Sequence, residues 1–258
     1  MKNNYNISFE KMRVAGSLAA KTLDEVTSFV RPGVSTNKLD TICYEHIRDN
    51  GGFSAPLYYR GFPKSCCTSV NHVVCHGIPT EKILKEGDII NIDVTAIVDG
   101  WHGDTSRMFF VGDVSVKCKN LISTTYKSMM KAISLVKSGI HLGDIGEAIQ
   151  TIAEREGFSV VRDFCGHGTG KNFHESPNVL HYGKKGDGAI LEEGMIFTIE
   201  PMINEGIYDT KLLKDGWTAV TKDKSLSAQF EHTIGVTKDG VEIFTKSKKN
   251  YEQPPYQI

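Results

Sequence analysis

Ile89–Phe110, IINIDVTAIVDGWHGDTSRMFF, is the stretch whose reading decides the fold. Two apolar, β-branched runs flank Asp99-Gly100, a dipeptide that closes two-residue hairpins because both positions tolerate positive φ. With Asp99-Gly100 as the loop, Val98 faces Trp101, Asp93 faces Ser106 and Asp104 faces Thr95. Side chains alternate along a strand, so Asp93 and Asp104 leave the same face as diagonal neighbours, about 7–8 Å apart at Cα. Two carboxylates on one face of an apolar hairpin repel each other and need a proton, a cation or a metal to offset the repulsion. The hairpin predicts half of a metal site.

The approach to this hairpin is repeated. Leu84–Asp93 (LKEGDIINID) matches Leu191–Glu200 (LEEGMIFTIE) at an offset of 107, which puts Asp93 on Glu200. Upstream, Val30–Val34 (VRPGV) matches Val136–Ile140 (VKSGI) at an offset of 106. Each is followed by a helical pattern ending in Gly-Phe, at Gly52-Phe53 and Gly157-Phe158. A weaker third match sets Asp104 against Glu231, each in a polar-to-apolar strand with a Thr close behind. Two similar α+β halves are expected, over about 9–115 and 121–245, inside a single catalytic domain spanning 1–258. Each half would give two helices and two strands to a shared sheet, with Asp93 and Glu200 facing a common cleft.

Apolar periodicity predicts helices over Phe9–Val30, Ser35–Asn50, Leu121–Lys137 and Leu142–Glu156. Strands are predicted over Val70–Ile78, Ser159–Phe164, Met195–Ile203 and Ala228–Val236. Phe53–Ser69 and the glycine-rich Gly166–Gly170 read as loops, and the segment around Trp217 as a hairpin-like excursion. Composition is ordinary for a globular chain: 258 residues, 40% hydrophobic and 24% charged. Thirty Lys+Arg against thirty-one Asp+Glu leave no net field for nucleic acid or an anionic membrane. No run approaches the roughly 18–20 apolar residues of a membrane span, and MKNNYNISFEK lacks a signal-peptide core. A cytoplasmic protein is expected, with Lys246–Lys249 as a solvated basic tail. The six cysteines read as reduced thiols. Cys66, Cys67, His72, Cys75 and His76 lie close together, but no second Cys-x-x-Cys pair completes a zinc set.

Four carboxylates, Asp93, Asp104, Glu200 and Glu231, are candidates for one cavity. His167, between glycines, is the natural nitrogen ligand. Two divalent cations neutralise four carboxylates, whereas one leaves buried negative charge uncompensated. Oxygen-rich ligation favours manganese or iron over a thiolate-type zinc site.

Seven motifs in this order carry a resemblance: Val74–Pro79 (VCHGIP), Asn91–Thr95 (NIDVT), His102–Ser106 (HGDTS), Gly166–Gly170 (GHGTG), His174–Pro177 (HESP), Thr198–Met202 (TIEPM) and Glu231–Thr233 (EHT). From about Glu10 to Thr245 the chain resembles the bacterial type I methionine aminopeptidases. The resemblance implies the duplicated "pita-bread" fold, in which two pseudo-symmetric halves surround a curved antiparallel sheet. It implies two divalent metal ions (manganese, iron or cobalt), with Asp93 on one, His167 and Glu200 on the other, and Asp104 and Glu231 bridging them. Glu200 would accept the proton, while His76 and His174 would contact the substrate near the scissile bond. Tyr59, Phe62, Cys67, Phe173 and Trp217 would form the methionine pocket, and Asn71, Val73 and Ser227 a monovalent-cation site. The implied activity is removal of the initiator methionine from nascent polypeptides at the ribosome when the second residue is small, by a monomer. Phe62 stands where many relatives carry Tyr, and Pro56 where some carry Cys, which bears on pocket polarity. The same fold serves X-Pro dipeptidases and aminopeptidase P, which usually carry a large N-terminal domain and lack the Cys-His-Gly-Ile-Pro stretch. Binding modules on this fold typically lose ligands, and all five are present here.

Overall fold

The central hairpin forms with the register its loop dictates. In the computed structural model of the protein, which describes residues 5–256, Val98 pairs with Trp101, Asp93 with Ser106 and Thr95 with Asp104. Asp99 (φ 49°) and Gly100 (φ 76°) both take positive φ in the loop, as a type I′ turn requires.

The first half runs α1 (Tyr5–Val26), α2 (Thr36–Asp49), β1 (Phe53–Ser54), β2 (Cys67–Val70), β3 (Val73–Cys75), β4 (Ile89–Val98) and β5 (Trp101–Phe110). The second opens with α3 (Val116–Leu135), α4 (Leu142–Arg155), β6 (Ser159–Val160), β7 (Gly166–Gly168) and β8 (Glu175–Val179). It continues with β9 (Ile196–Ile199), β10 (Met202–Asn204), β11 (Thr210–Leu212), β12 (Ala219–Thr221), β13 (Ser227–Gln229), β14 (Glu231–Val236) and β15 (Val241–Ile243). The main antiparallel sheet follows the order β1-β4-β5-β14-β9-β7-β8, with β2 also on β4 and β15 also on β14. Two three-stranded sheets, β13-β10-β6 and β11-β12-β3, complete the walls. Helices α1 and α2 pack behind β4 and β5, burying Leu18, Leu23, Leu39 and Ile47 against Ile90, Ile92 and Val94. Helices α3 and α4 bury Leu121, Met129, Ile145 and Ile149 against Phe197, Ile199 and Phe230.

The repeat in the sequence is a repeat in space. Helices α2 and α4 each hold 14 residues and begin at Thr36 and Leu142. The preceding glycines, Gly33 and Gly139, both take positive φ and donate to Leu84 and Leu191 carbonyls at 2.9 Å. Gly87 and Gly194 turn the chain into β4 and β9 at φ 86° and 94°, which a residue with a Cβ adopts only with strain. The weaker third match is corrected by the strand register. Ile92 and its repeat partner Ile199 lie opposite Arg107 and His232 in the β4–β5 and β9–β14 pairs, so the residue equivalent to Glu231 is Ser106 and not Asp104.

Several predicted strands are shorter or divided. Val70–Ile78 is divided, because Asn71 turns at φ 57°, a conformation Asn tolerates, and the chain passes from β2 in the main sheet to β3 in another. Of Ser159–Phe164 only Ser159–Val160 is strand. Met195–Ile203 breaks at Glu200-Pro201, since proline has no N–H to continue the ladder. Ala228–Val236 breaks at Phe230. Gly166–Gly168 is strand and not loop: a Cβ at Gly166 or Gly168 would overlap the carbonyls of Thr198 and Ser176. The glycines serve close strand packing. The lysines of the basic tail are exposed, but Ser247 is buried and donates to Asp24 (2.7 Å), and Tyr256 bonds the Met108 carbonyl (2.8 Å). All six cysteines are free. Among the described residues no helix is long and apolar enough to cross a membrane.

Candidate active site

The five candidate ligands come from the inner face of the main sheet. Asp93 lies on β4, Asp104 on β5, His167 on β7 and Glu231 on β14, while Glu200 follows β9 at the proline break. All five line one cavity of about 430 Å³. Ligand atoms of Asp104, His167 and Glu231 lie within 4.8 Å of one another. His167 Nε2 is 3.5 Å from Asp104 Oδ2 and 3.6 Å from Glu200 Oε1.

Neighbouring hydroxyls and amides aim these groups. Thr95 donates to Asp104 Oδ1 (2.6 Å), leaving Oδ2 toward His167. Thr198 donates to Glu200 Oε1 (2.8 Å) and accepts the His167 N–H (3.0 Å), so one hydroxyl couples two candidate ligands. Gln229 Nε2 holds Glu200 Oε2 at 3.2 Å. His167 Nδ1 lies 3.0 Å from the Gly168 carbonyl, which fixes the proton there and turns Nε2 into the cavity. The sequence places Thr95 opposite Asp104 without giving it a role, and singles out neither Thr198 nor Gln229. A polar residue two positions from each acid was their only local signal.

Electrostatics fit divalent cations. Burial pushes Asp93 and Glu231 well above the carboxylate range, with repulsion from Asp104 and Glu200 adding to it, and burial pushes Glu200 up to about 7. Burial pulls His167 down, but its hydrogen bond to Asp104 and the nearby carboxylates outweigh this and lift it to about 9. The raised values mark a concentration of buried negative charge, and an oxygen-rich set with one imidazole is the donor chemistry of hard divalent metals.

The remaining predicted residues gather around the same cavity. Tyr59, Phe62, Cys67, His76, Phe173, His174 and Trp217 all line it. Phe62 meets Trp217 edge-on at 5.2 Å between ring centroids, and Tyr59 packs on Phe173 at 4.9 Å. Burial pushes the Cys67 and Cys75 thiols up, so this wall stays uncharged. Tyr59 OH lies 3.1 Å from His174 Nδ1. Burial pulls His174 down to about 4 and also lowers His76, leaving both imidazoles neutral at pH 7. Phe164, Cys165, Met202, Arg60 and Asp163 also line the cavity; sequence reasoning missed them because nonlocal packing brings them there. Asn71 and Ser227 meet outside it: Ser227 N–H donates to the Asn71 carbonyl (2.9 Å), and the buried Ser227 Oγ has no protein partner. Val73 starts β3 two residues after Asn71.

Residues 10–238 match metallopeptidase family M24. The chain is 62% identical to methionine aminopeptidase of Rickettsia prowazekii (strain Madrid E) over 249 residues, 96% of both chains. It is 55% identical to methionine aminopeptidase of Escherichia coli (strain K12), over 93% of this chain and 91% of that one. The crystal structure of the Rickettsia prowazekii methionine aminopeptidase superposes with a TM-score of 0.92, covering 93% of this chain and 97% of that chain. Prolidase from Pyrococcus furiosus, 21% identical, shares the fold at a TM-score of 0.75, covering 94% of this chain and 64% of that chain. These likenesses agree with the pita-bread α+β architecture that the resemblance implies and with the two α+β halves expected from the repeat. The chain belongs to metallopeptidase family M24 and, within it, to the metal-dependent methionine aminopeptidases.

Proposed function

We propose that the chain, acting as one catalytic domain, removes N-terminal methionine when the second residue is small (Gly, Ala, Ser, Thr, Pro, Val or Cys). The observation that carries this is a single cavity holding four carboxylates and an imidazole beside an uncharged aromatic wall. Asp93, Asp104, His167, Glu200 and Glu231 would hold two divalent cations (manganese, iron or cobalt). Asp104 and Glu231 would be shared between them. When bound, such a pair supplies a Lewis acid for the scissile carbonyl and a water activated near neutral pH.

The chain's own residues do the rest. Tyr59, Phe62, Cys67, Phe173 and Trp217 receive the thioether, for which sulfur–aromatic contact is favourable. Neutral His174 and His76 donate hydrogen bonds to the scissile carbonyl and the departing nitrogen without adding charge. Glu200, held by Thr198 and Gln229, would take the proton released by the attacking water. The second side chain must share the space between two imidazoles and five ligands. A bulky one displaces the carbonyl, and a misplacement of about 1 Å costs on the order of 10²-fold. Asn71, Val73 and Ser227 would bind a monovalent cation. Substrates are nascent chains at the ribosome, met in the cytoplasm by a monomeric enzyme.

Values of kcat/KM on Met-Ala-Ser, Met-Lys-Ser and Leu-Ala-Ser, with metal counted per chain, test this reading. Strong preference for the Ala over the Lys peptide is expected. Discrimination of Met from Leu should be modest, since apolar shape alone is worth about 1–3 kcal/mol. Equal turnover of the Ala and Lys peptides overturns the crowding argument, and faster cleavage of an X-Pro peptide lacking Met overturns the methionine reading.

A further inference from the structure

Threonines tie down the main chain at three of the five candidate ligands. Thr233 Oγ1 accepts the Asp104 N–H (3.1 Å) and donates to its carbonyl (2.7 Å). Thr105 donates to the Glu231 carbonyl (2.7 Å), and Thr198 accepts the His167 N–H (3.0 Å). Glu200 is held otherwise. Its N–H donates to Nε2 of His181, 3.1 Å away, just beyond the end of β8. An outside acceptor is needed here because the ladder of β9 stops at Ile199 and Pro201 follows.

His181 is 0% exposed and lies outside the cavity lining. An imidazole accepting at Nε2 carries its proton on Nδ1, and the buried Nδ1 finds no partner in the protein. A buried unpaired donor is costly, so packing alone would favour a hydrocarbon at this position. The acceptor at Nε2 is what the imidazole supplies. With Thr198 on Oε1 and Gln229 on Oε2, Glu200 is then fixed at three points.

Building on the reading of Glu200 as ligand and proton acceptor, we infer that His181 is a positioning residue that anchors the Glu200 main chain and so aims its carboxylate into the cavity. Hydrogen exchange at the Glu200 amide, Mn²⁺ titration calorimetry, steady-state kinetics and melting temperature, applied to wild type, His181→Leu and His181→Gln, test the inference. His181→Leu should speed exchange at the Glu200 amide and weaken Mn²⁺ binding about 10–100-fold. It should lower kcat on Met-Ala-Ser by a similar factor while KM stays within about threefold, as an effect expressed in the transition state requires. His181→Gln, whose amide oxygen can take the place of Nε2, should recover most of the loss. Equal losses in both variants with equally lowered melting temperatures would reduce His181 to a packing residue. Wild-type behaviour of His181→Leu would overturn the inference outright. A wild-type protein that takes up no Mn²⁺, or leaves Met-Ala-Ser intact, fails the functional reading instead, while the exchange measurement still reports on the anchor.

Discussion

Asp104 shows how much one side chain can be asked to do. Thr95 holds one oxygen at 2.6 Å, the other faces His167 at 3.5 Å, and Thr233 fixes the main chain on both sides. In the proposed site Asp104 is shared between two cations, and its loss would leave their repulsion uncompensated. Asp104→Ala is expected to abolish activity and to reduce metal content at both sites. Two tightly held ions in a folded Asp104→Ala protein would count against a shared ligand. His174 is a different case: Tyr59 engages its Nδ1, its ring is neutral, and in the proposed function its Nε2 meets the substrate. His174→Ala should retain its metal and lose on the order of 10²-fold in kcat with little change in KM. A variant in which only KM rises would make His174 a binding residue.

At the scale of elements, the packing of α1 on the hairpin sets the inner face in place. Gly103 on β5 meets the α1 backbone at Ala15 and Gly16 so closely that a Cβ there would overlap it. Behind the same strand Arg107 is buried, with its guanidinium 2.5 Å from Asp24 of α1 and 3.3 Å from the Ala20 carbonyl. Ser247 adds a hydrogen bond to Asp24. Removing one partner strands the other charge in the core, which costs about 3–5 kcal/mol. Asp24→Ala should therefore lower the urea unfolding free energy by that amount without altering the cavity residues. A loss below about 1 kcal/mol would show that water reaches Arg107 and that the clamp is weak.

For the whole molecule, the cavity links stability to pH and metal. In the metal-free protein Asp93, Glu200 and Glu231 have folded pKa values above the ordinary carboxylate range, and His167 is lifted to about 9. Each holds a proton that the unfolded chain gives up at lower pH. Its stabilisation is complete below the unfolded pKa and is lost as pH rises through the folded one. The buried His181 and His232, both pulled down to about 3 by burial, act in the opposite sense, but only below about pH 6.5 where the unfolded histidine charges. Between pH 6.5 and 8 only the raised groups count. The melting temperature with EDTA should fall over this window, and Mn²⁺ should add more stability at pH 8 than at pH 6.5, because it displaces those protons. Equal metal-induced shifts at the two pH values would contradict the linkage.

The sequence by itself determined whatever depends on neighbours along the chain. A two-residue Asp-Gly loop fixes strand parity, so the shared face of Asp93 and Asp104 followed from it and holds in the observed register. Glycines at equal spacing made the two approaches to β4 and β9 alike, as their matching positive φ angles bear out. Tertiary structure decided what depends on strands meeting across the chain. That β14 lies between β5 and β9, setting Glu231 opposite Ser106 and beside Asp104, reflects the burial of two helix-backed faces in one sheet. No local window encodes such pairing. The same holds for Thr198 joining His167 to Glu200, for His181 beneath Glu200, and for Phe164 and Met202 in the cavity wall. Turn geometry is local and readable from residue type, whereas long-range pairing and burial are chosen by the packing of the whole chain.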